Sequence, residues 1–194
     1  MKELIELANK IKNKNLREKT IDFLKNPKIS NPEIIYPKAN LKDAPAWSIG
    51  AHHSYEGGLL EHIKSVTECS IKLAEVLEKT YKTKINMDHL IAGALLHDMM
   101  KVFIMKEDGG QWTFTGSILD HADFTACELY ARGFPEEVVH IVAAHGGESG
   151  NASPRTVEAM IVYYADVIDS SVESFVHGST NPLEQLLMMA SEKK

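Results

Sequence analysis

The sequence contains little cysteine: there are only two, Cys69 and Cys127, among 194 residues. They lie far apart and form no CxxC pair, which argues against a zinc–thiolate site and against a disulfide-stabilised scaffold. Long hydrophobic runs are also missing, since none reaches the roughly 18 residues that a membrane-spanning helix requires. The first residues lack the apolar core of a signal peptide, so we expect a cytoplasmic protein without a membrane partner.

Positive charge is in deficit, because the formal net charge is −6 and the sequence pI is about 5.8. An acidic chain repels a polyanion unless its basic residues gather on one face. Basic residues do gather between Lys10 and Lys19, but Glu3, Glu6 and Glu18 lie among or before them. This segment is therefore typical of a solvated helix face. The charge balance favours a small phosphorylated partner over long nucleic acid.

The length and the 44% hydrophobic content fit one globular domain spanning residues 1–194. Apolar residues at helical spacing predict one or two amphipathic helices within residues 1–26. Four prolines predict an extended segment over residues 27–50 that wraps around the domain. We expect this segment to bury four apolar side chains: Ile34, Ile35, Tyr36 and Trp47.

Residues 51–172 have the apolar spacing of a helical bundle. One long helix is predicted from Gly58 to Tyr81, and a second helix is predicted to begin with Asp88 as its N-cap. The runs Val102–Ile104 and Trp112–Thr115 flank a Gly-Gly turn and predict a short β-hairpin. The sequence thus predicts an all-α fold with one short hairpin.

Further helices are predicted at about residues 118–131, 135–145, 153–168 and 181–194. The last of these carries the apolar run Leu186–Ala190. Such a run can pack on its own domain or on a second subunit. The sequence is therefore compatible with a homo-oligomer as well as with a monomer.

The pair His97-Asp98 ends the apolar stretch Leu90–Leu96, which is typical of a buried helix. Burying a histidine beside a carboxylate costs free energy unless both find partners. A divalent metal satisfies both groups, because imidazole nitrogen and carboxylate oxygen are common ligands of transition metals. The alternative is a His–Asp hydrogen bond that holds two helices together.

Two more polar residues interrupt helices that otherwise have a core-like pattern. His62 follows Gly57–Glu61 on the helix before the pair, and Asp166 lies within the apolar helix near Tyr163–Asp169. Each alone is explained by a satisfied hydrogen bond. Together with His97-Asp98 they indicate a metal site, because bundle folds build such sites from side chains on facing helices.

His62, His97-Asp98 and Asp166, in this order on successive helices, resemble the H…HD…D signature of the HD-domain superfamily of metal-dependent phosphohydrolases. The resemblance spans about residues 50–172. It implies a helical HD-domain core over residues 51–172. It further implies that these four residues bind metal and that Asp98 is catalytic.

Lys101 follows Asp98 by three residues, about one turn onward if the helix persists. Its ammonium group can bind a phosphate oxygen of a substrate, and the family's matching lysine is often given that catalytic role. The family motif commonly has a glycine between the aspartate and the lysine, whereas this chain has Met99 and Met100. The alternative is a solvated lysine at a helix C-terminus.

The resemblance also implies a second metal ion, held by His121 and His145 with Asp98 as the bridge. Many relatives have two adjacent histidines at the second of these positions, whereas this chain has Ala144-His145-Gly146. The sequence therefore predicts two ions rather than three. Histidine and carboxylate ligands suit Fe or Mn, and they also accept Co or Ni.

The loop that carries His52, His53 and Tyr55 is similar to the loop preceding the HD domain of YhaM-type bacterial exoribonucleases. Those enzymes carry an additional OB-fold RNA-binding domain. An archaeal cyclic phosphodiesterase of pterin biosynthesis belongs to the same superfamily. The three residues are candidates for substrate contacts, although a capped loop explains them equally well. Asp169, one turn after the last motif aspartate, is a candidate to orient a ligand or the Lys101 ammonium.

The resemblance implies a metal-dependent phosphohydrolase, and more specifically a phosphodiesterase. Its substrate would be a small nucleotide, cyclic or linear, or another phosphoester, attacked by metal-activated water. Two alternatives stand beside this reading: an HD-type di-iron oxygenase, and a non-catalytic metal-stabilised module that binds a ligand. Lys101 favours hydrolysis over oxygenation, and the complete set of ligand residues argues against a module that has lost its activity.

Overall fold

A computed structural model of the chain describes residues 1–47, 51–147 and 150–178. Its α-helices and the two strands of its antiparallel hairpin confirm the predicted all-α fold with one short hairpin. None of the helices in these ranges is long and apolar enough to cross a membrane. The helix predicted over 181–194 lies outside the described residues. The elements are α1 (Lys2–Ala8), α2 (Lys14–Lys25), α3 (Gly58–Tyr81), α4 (Met87–Leu96), a 3₁₀ helix (Met99–Phe103), β1 (Met105–Asp108), β2 (Gln111–Phe114), α5 (His121–Ala131), α6 (Glu136–Ala143) and α7 (Val157–His177).

Helix α4 forms the centre of the bundle, and all its residues from Leu90 to Leu96 are buried. It packs against α2, α3, α6 and α7. Gly93 allows α6 to approach closely, because a Cβ atom at this position would overlap the side chain of Ile141. Because the end of α4 is buried, the next residues, His97 and Asp98, lie in the interior of the protein.

The N-terminal helices α1 and α2 pack on α4, and α1 also contacts α3. The Asp88 carboxylate accepts hydrogen bonds from the backbone nitrogens of Lys12 (2.7 Å) and Asn13 (2.8 Å), which fixes the turn between α1 and α2. The prediction that Asp88 caps α4 is wrong, because the N-cap is Asn86. Asp88 thus anchors the N-terminal helices instead.

Residues 26–47 form turns and extended backbone that cross the surface of the bundle. The Glu128 carboxylate accepts hydrogen bonds from the backbone nitrogen (2.8 Å) and hydroxyl (2.6 Å) of Ser30. Further along, the Ala39 nitrogen donates to the Val102 carbonyl at 2.7 Å. Three of the four apolar side chains expected to be buried here are half-buried, but the prediction is wrong for Ile35, which is 86% exposed.

The first strand of the hairpin lies three residues later than the sequence pattern predicts, and the second strand lies one residue earlier. Val102 and Phe103, expected in its first strand, belong to the 3₁₀ helix. Gly109 and Gly110 form the turn with φ angles of 62° and 86°, as a type I′ hairpin turn requires. The pairing places Phe114, the last residue of β2, opposite the buried Met105.

Three later helices begin later than predicted, and α6 also ends earlier, whereas α7 continues to His177. Helix α5 begins at His121, because the Asp120 side chain accepts a hydrogen bond from the Ala122 nitrogen and caps it there. Helix α6 ends at Ala143, two residues before His145. Helix α7 is capped by Thr156 rather than opened at Ser153-Pro154. Two histidines with predicted roles thus lie at helix boundaries.

Candidate metal centre

Five segments of the bundle bring six predicted site residues to one place. The residues come from the second turn of α3, the junction after α4, the first residue of α5, the turn after α6, and the middle of α7. Four of them are almost completely buried, with exposures of 0–2%: His62, His97, Asp98 and His145. The side chains of His121 and Asp166 are 17% and 19% exposed.

The first group of ligand atoms surrounds His62. Its Nε2 atom lies 3.2 Å from Nε2 of His97, 3.2 Å from Oδ1 of Asp166 and 3.3 Å from Oδ2 of Asp98. The His97 Nε2 atom is also 3.4 Å from the same Asp98 oxygen. Two imidazoles and two carboxylates therefore converge on one small volume.

The second group surrounds the other oxygen of Asp98. Oδ1 lies 3.3 Å from Nε2 of His121 and 3.5 Å from Nε2 of His145, and these two nitrogens are 3.1 Å apart. Asp98 thus lies between the groups and directs one oxygen towards each. This is the arrangement that a bridging carboxylate needs.

Hydrogen bonds at the far side of the rings determine which nitrogens can bind a cation. The Nδ1 atom of His97 donates to the Ala94 carbonyl at 2.8 Å, and Nδ1 of His145 donates to the Val142 carbonyl at 2.6 Å. With the proton on Nδ1, the Nε2 lone pair of each neutral ring points into the centre. In His62, Nδ1 is paired in the same way with Asp169, at 2.7 Å.

These donors fit a divalent transition metal. Facing Nε2 lone pairs and adjacent carboxylates repel one another unless a cation or a proton lies between them. Neither oxygen of the buried Asp98 accepts a well-aligned hydrogen bond from the described residues, and its ion pair with Lys101 is made through Oδ2. Oδ1 in particular is left in a position that is costly for a carboxylate oxygen away from water. The sets His62–His97–Asp98 and Asp98–His121–His145 each bring their ligand atoms close enough to hold one ion.

In the chain without metal, protons partly fulfil this role. Burial lowers the pKa of His62, but the carboxylates of Asp166, Asp169 and Asp98 around its ring outweigh burial and raise the pKa well above its usual value. Burial raises the pKa of Asp98, but the nearby charges of Lys101 and His97 lower it well below its usual range. A metal and a proton compete for the same nitrogen, so metal binding here releases protons.

Lys101 reaches the centre although the helix does not persist. The 3₁₀ helix after Asp98 places its ammonium 2.7 Å from Asp98 Oδ2, with the lysine only 4% exposed. The same ammonium lies 4.8 Å from the centre of the Trp47 ring. The methionines at the usual glycine positions are fully buried and leave the lysine directed inwards.

A family model describing the HD domain matches residues 59–171. The chain belongs to the HD-domain family. The family prediction is therefore confirmed, and the prediction of a metal-dependent phosphohydrolase is confirmed at the level of that family. No solved structure matches the chain.

Two kinds of curated relatives are similar to this HD protein. A dihydroneopterin 2',3'-cyclic phosphate phosphodiesterase of Methanocaldococcus jannaschii is 49% identical over 174 residues, covering 89% of this chain and 70% of the relative. A 3'-5' exoribonuclease YhaM of Geobacillus is 28% identical and one of Listeria innocua is 30% identical, over 89% and 88% of this chain. The chain spans about half the length of these exoribonucleases, 52% and 53%.

The loop before α3 brings two of its three predicted residues to the HD centre. The His52 ring lies 5.0 Å from the His62 ring, and burial together with the charges of His62 and Lys101 lowers its pKa to about 3. His53 Nε2 is 3.7 Å from Asp169 Oδ2. Tyr55 instead donates its hydroxyl to Glu61 at 3.1 Å, at the margin of the site.

Two neighbours of the centre were not among the predicted site residues. Asp120 lies 3.3 Å from Nδ1 of His121, as Asp169 lies beside His62. Its position directly before a candidate ligand at a helix start was a usable signal. Trp47 contacts both Lys101 and His121, with its ring centre 5.5 Å from that of His121. Only the expected burial of Trp47 was readable from the sequence.

Proposed function

We propose that this HD protein hydrolyses a small cyclic phosphodiester with the help of two divalent metal ions. The observation that carries the proposal is the placement of Asp98, whose oxygens each face a pair of imidazole Nε2 atoms and lack aligned hydrogen bonds. In the proposal, six residues hold the ions: His62, His97, Asp98, His121, His145 and Asp166.

The first ion would be bound by His62, His97, Asp98 and Asp166, and the second by His121, His145 and the shared Asp98. Mixed imidazole and carboxylate sets suit Fe or Mn and also accept Co or Ni. The candidate ligand groups among the described residues consist of histidine and aspartate without a thiol, which argues against a soft-metal site. We propose a dinuclear Fe or Mn centre.

Divalent ions in such a site supply polarisation of phosphoryl oxygens and lower the pKa of a water molecule towards neutrality. Opening a cyclic phosphodiester adds one water oxygen to phosphorus, breaks one ring P–O bond and transfers a proton to the released alkoxide oxygen. The product is a phosphomonoester. Lys101 would bind a phosphoryl oxygen and neutralise the negative charge that builds up as water attacks.

Two findings support a small substrate. The relative that is 49% identical is named for a pterin 2',3'-cyclic phosphate, and this chain covers 70% of it. The net charge of −6 disfavours a long polyanion. His52 and His53, which lie beside His62 and Asp169, are the candidates for contacts with the rest of the substrate.

The test uses protein prepared without oxygen and supplied with Mn²⁺ or Fe²⁺. We expect hydrolysis of guanosine 2',3'-cyclic phosphate and of bis(p-nitrophenyl) phosphate, both lost on addition of a chelator, and two metal ions per chain by elemental analysis. Oxygen consumption without phosphoester hydrolysis would instead indicate a di-iron oxygenase. Bound metal with no turnover of any phosphoester would indicate a non-catalytic ligand-binding module.

A further inference from the structure

Two aromatic rings from distant parts of the sequence meet beside the proposed centre. The Trp47 ring, at the end of the extended segment, lies 5.8 Å from the Phe114 ring at the end of β2, with an interplanar angle of 79°. Trp47 also contacts the His121 ring and lies under the Lys101 ammonium. Through Trp47, the exposed ring of Phe114 is therefore connected to the groups proposed to bind the phosphoryl group.

The packing of the hairpin does not explain why Phe114 is exposed. Side chains alternate along a strand, so Trp112 and Phe114 lie on the same face of β2. Trp112 packs against the main hydrophobic core, and Met105, opposite Phe114, is fully buried. Phe114 is nevertheless 50% exposed. A large apolar side chain is thus held half in solvent at the edge of the site.

We propose that Phe114, backed by Trp47, is a stacking platform for the planar ring of the substrate. This inference rests on the proposed function and names the substrate class: a cyclic phosphodiester that carries a heteroaromatic ring, such as a pterin or a purine. Aromatic side chains bind such rings through apolar contact area and favourable ring–ring geometry. The hairpin then acts as the specificity element of the site, separate from the metal ligands.

The kinetic test compares a substrate that has a ring with one that lacks it. Guanosine 2',3'-cyclic phosphate and glycerol 1,2-cyclic phosphate share the cyclic diester, and only the first can stack. We expect Phe114→Ala to lower the ratio of their kcat/KM values about 10-fold, mainly through KM for the guanosine substrate, since base stacking on an aromatic residue is of this size. Phe114→Tyr keeps the ring and should restore the ratio.

The matched control is Tyr130→Ala, which removes another exposed aromatic ring. Tyr130 is 79% exposed and lies about 13 Å along α5 from His121. We expect this variant to keep the wild-type ratio. An unchanged ratio in Phe114→Ala would overturn the platform, and so would an equal loss on both substrates, which would indicate damage to the centre.

An equilibrium measurement separates the platform from the proposed function. The chain has two tryptophans, so Trp112→Phe leaves Trp47 as the only one. We expect guanosine 3'-monophosphate to quench Trp47 fluorescence in the metal-loaded variant. In the double variant that also carries Phe114→Ala, the dissociation constant of this nucleotide should rise about 10-fold. Quenching without turnover would retain the platform and reject hydrolysis. Hydrolysis that persists with no effect of Phe114→Ala on either measurement would retain the proposed function and reject the platform.

Discussion

The two halves of the candidate centre use the same chemistry on different supports. In one half, His62 is backed by Asp169 at 2.7 Å, and the Asp169 side chain is 11% exposed. In the other half, His121 is backed by Asp120 at 3.3 Å, and the Asp120 side chain is 50% exposed. A short, shielded hydrogen bond orients a metal-binding imidazole more firmly than a longer, solvent-exposed contact that lacks hydrogen-bond alignment.

The helix that carries His62 is also the more firmly packed of the two that carry these histidines. His62 lies inside the 24-residue α3, which packs along α4 and α7. His121 is the first residue of the 11-residue α5 and follows a segment in which Ile118 is 95% exposed. Preorganised ligands bind metal more tightly. We therefore expect the His62 half to retain its ion and the His121 half to exchange its ion more readily.

The largest effect should come from the one residue that both halves share. Asp98→Asn keeps the shape of the side chain but removes its charge, and we expect turnover to fall about 10³-fold or more and both ions to bind weakly. Asp22→Asn on the exposed face of α2 is the control, and helical circular dichroism should be the same in both variants. Full turnover in Asp98→Asn would show that the centre is wrongly assigned.

The second largest effect should come from Lys101, whose substitution should lower turnover without loss of either metal ion. Lys101→Met keeps an unbranched apolar side chain and removes the ammonium that lies over Trp47 and beside Asp98. We expect kcat to fall about 10²–10³-fold, because one preorganised charge on the phosphoryl oxygens is lost. Metal content measured by elemental analysis should stay at the wild-type level. A lower metal content in Lys101→Met would instead show that Lys101 is needed for metal binding.

The sequence was sufficient to predict helix bounds and site residues wherever the residue's own helix determined its surroundings. The bounds of α3 agree with the prediction at Gly58 and Tyr81. Gly57 precedes the helix in a left-handed conformation, and Lys82 ends it in another. His62 and Asp166 could be selected because each is a polar residue within an apolar, helical pattern. Their meeting in space follows from the packing of α3 against α7.

The sequence was insufficient where contacts join segments that are remote along the chain. Asp88 looked like a helix cap, but it bonds the turn after α1, 75 residues earlier. Trp47 and Phe114 meet only because the extended segment and the hairpin lie side by side on the bundle. The end of α4 could not be predicted from the sequence either. The helix stops there because Asp98 has a non-helical backbone conformation, with φ −111° and ψ 5°.

The comparison of the two halves can be tested directly with one pair of substitutions. Asp169→Asn should weaken the tighter metal site about 10–100-fold, because it removes the carboxylate that orients His62. Asp120→Asn should have a smaller effect, on the weaker site only. Both affinities can be measured by competition with a chromophoric chelator. Equal effects of the two substitutions would show that the two supports do not differ in metal binding.

The smallest effect concerns acid stability of the metal-free protein. The His121 ring, whose Nδ1 atom lies 3.3 Å from the carboxylate, lowers the pKa of Asp120 from 3.8 to about 2. A carboxyl group whose pKa is lower in the folded state stabilises the fold above pH 4, and this contribution disappears as the pH falls towards 2. Asp120→Asn retains an N-cap for α5 but has no such titration. Its melting temperature should therefore decline less than that of the wild type over this range. Parallel decline would show that the Asp120–His121 contact is too exposed to stabilise the fold.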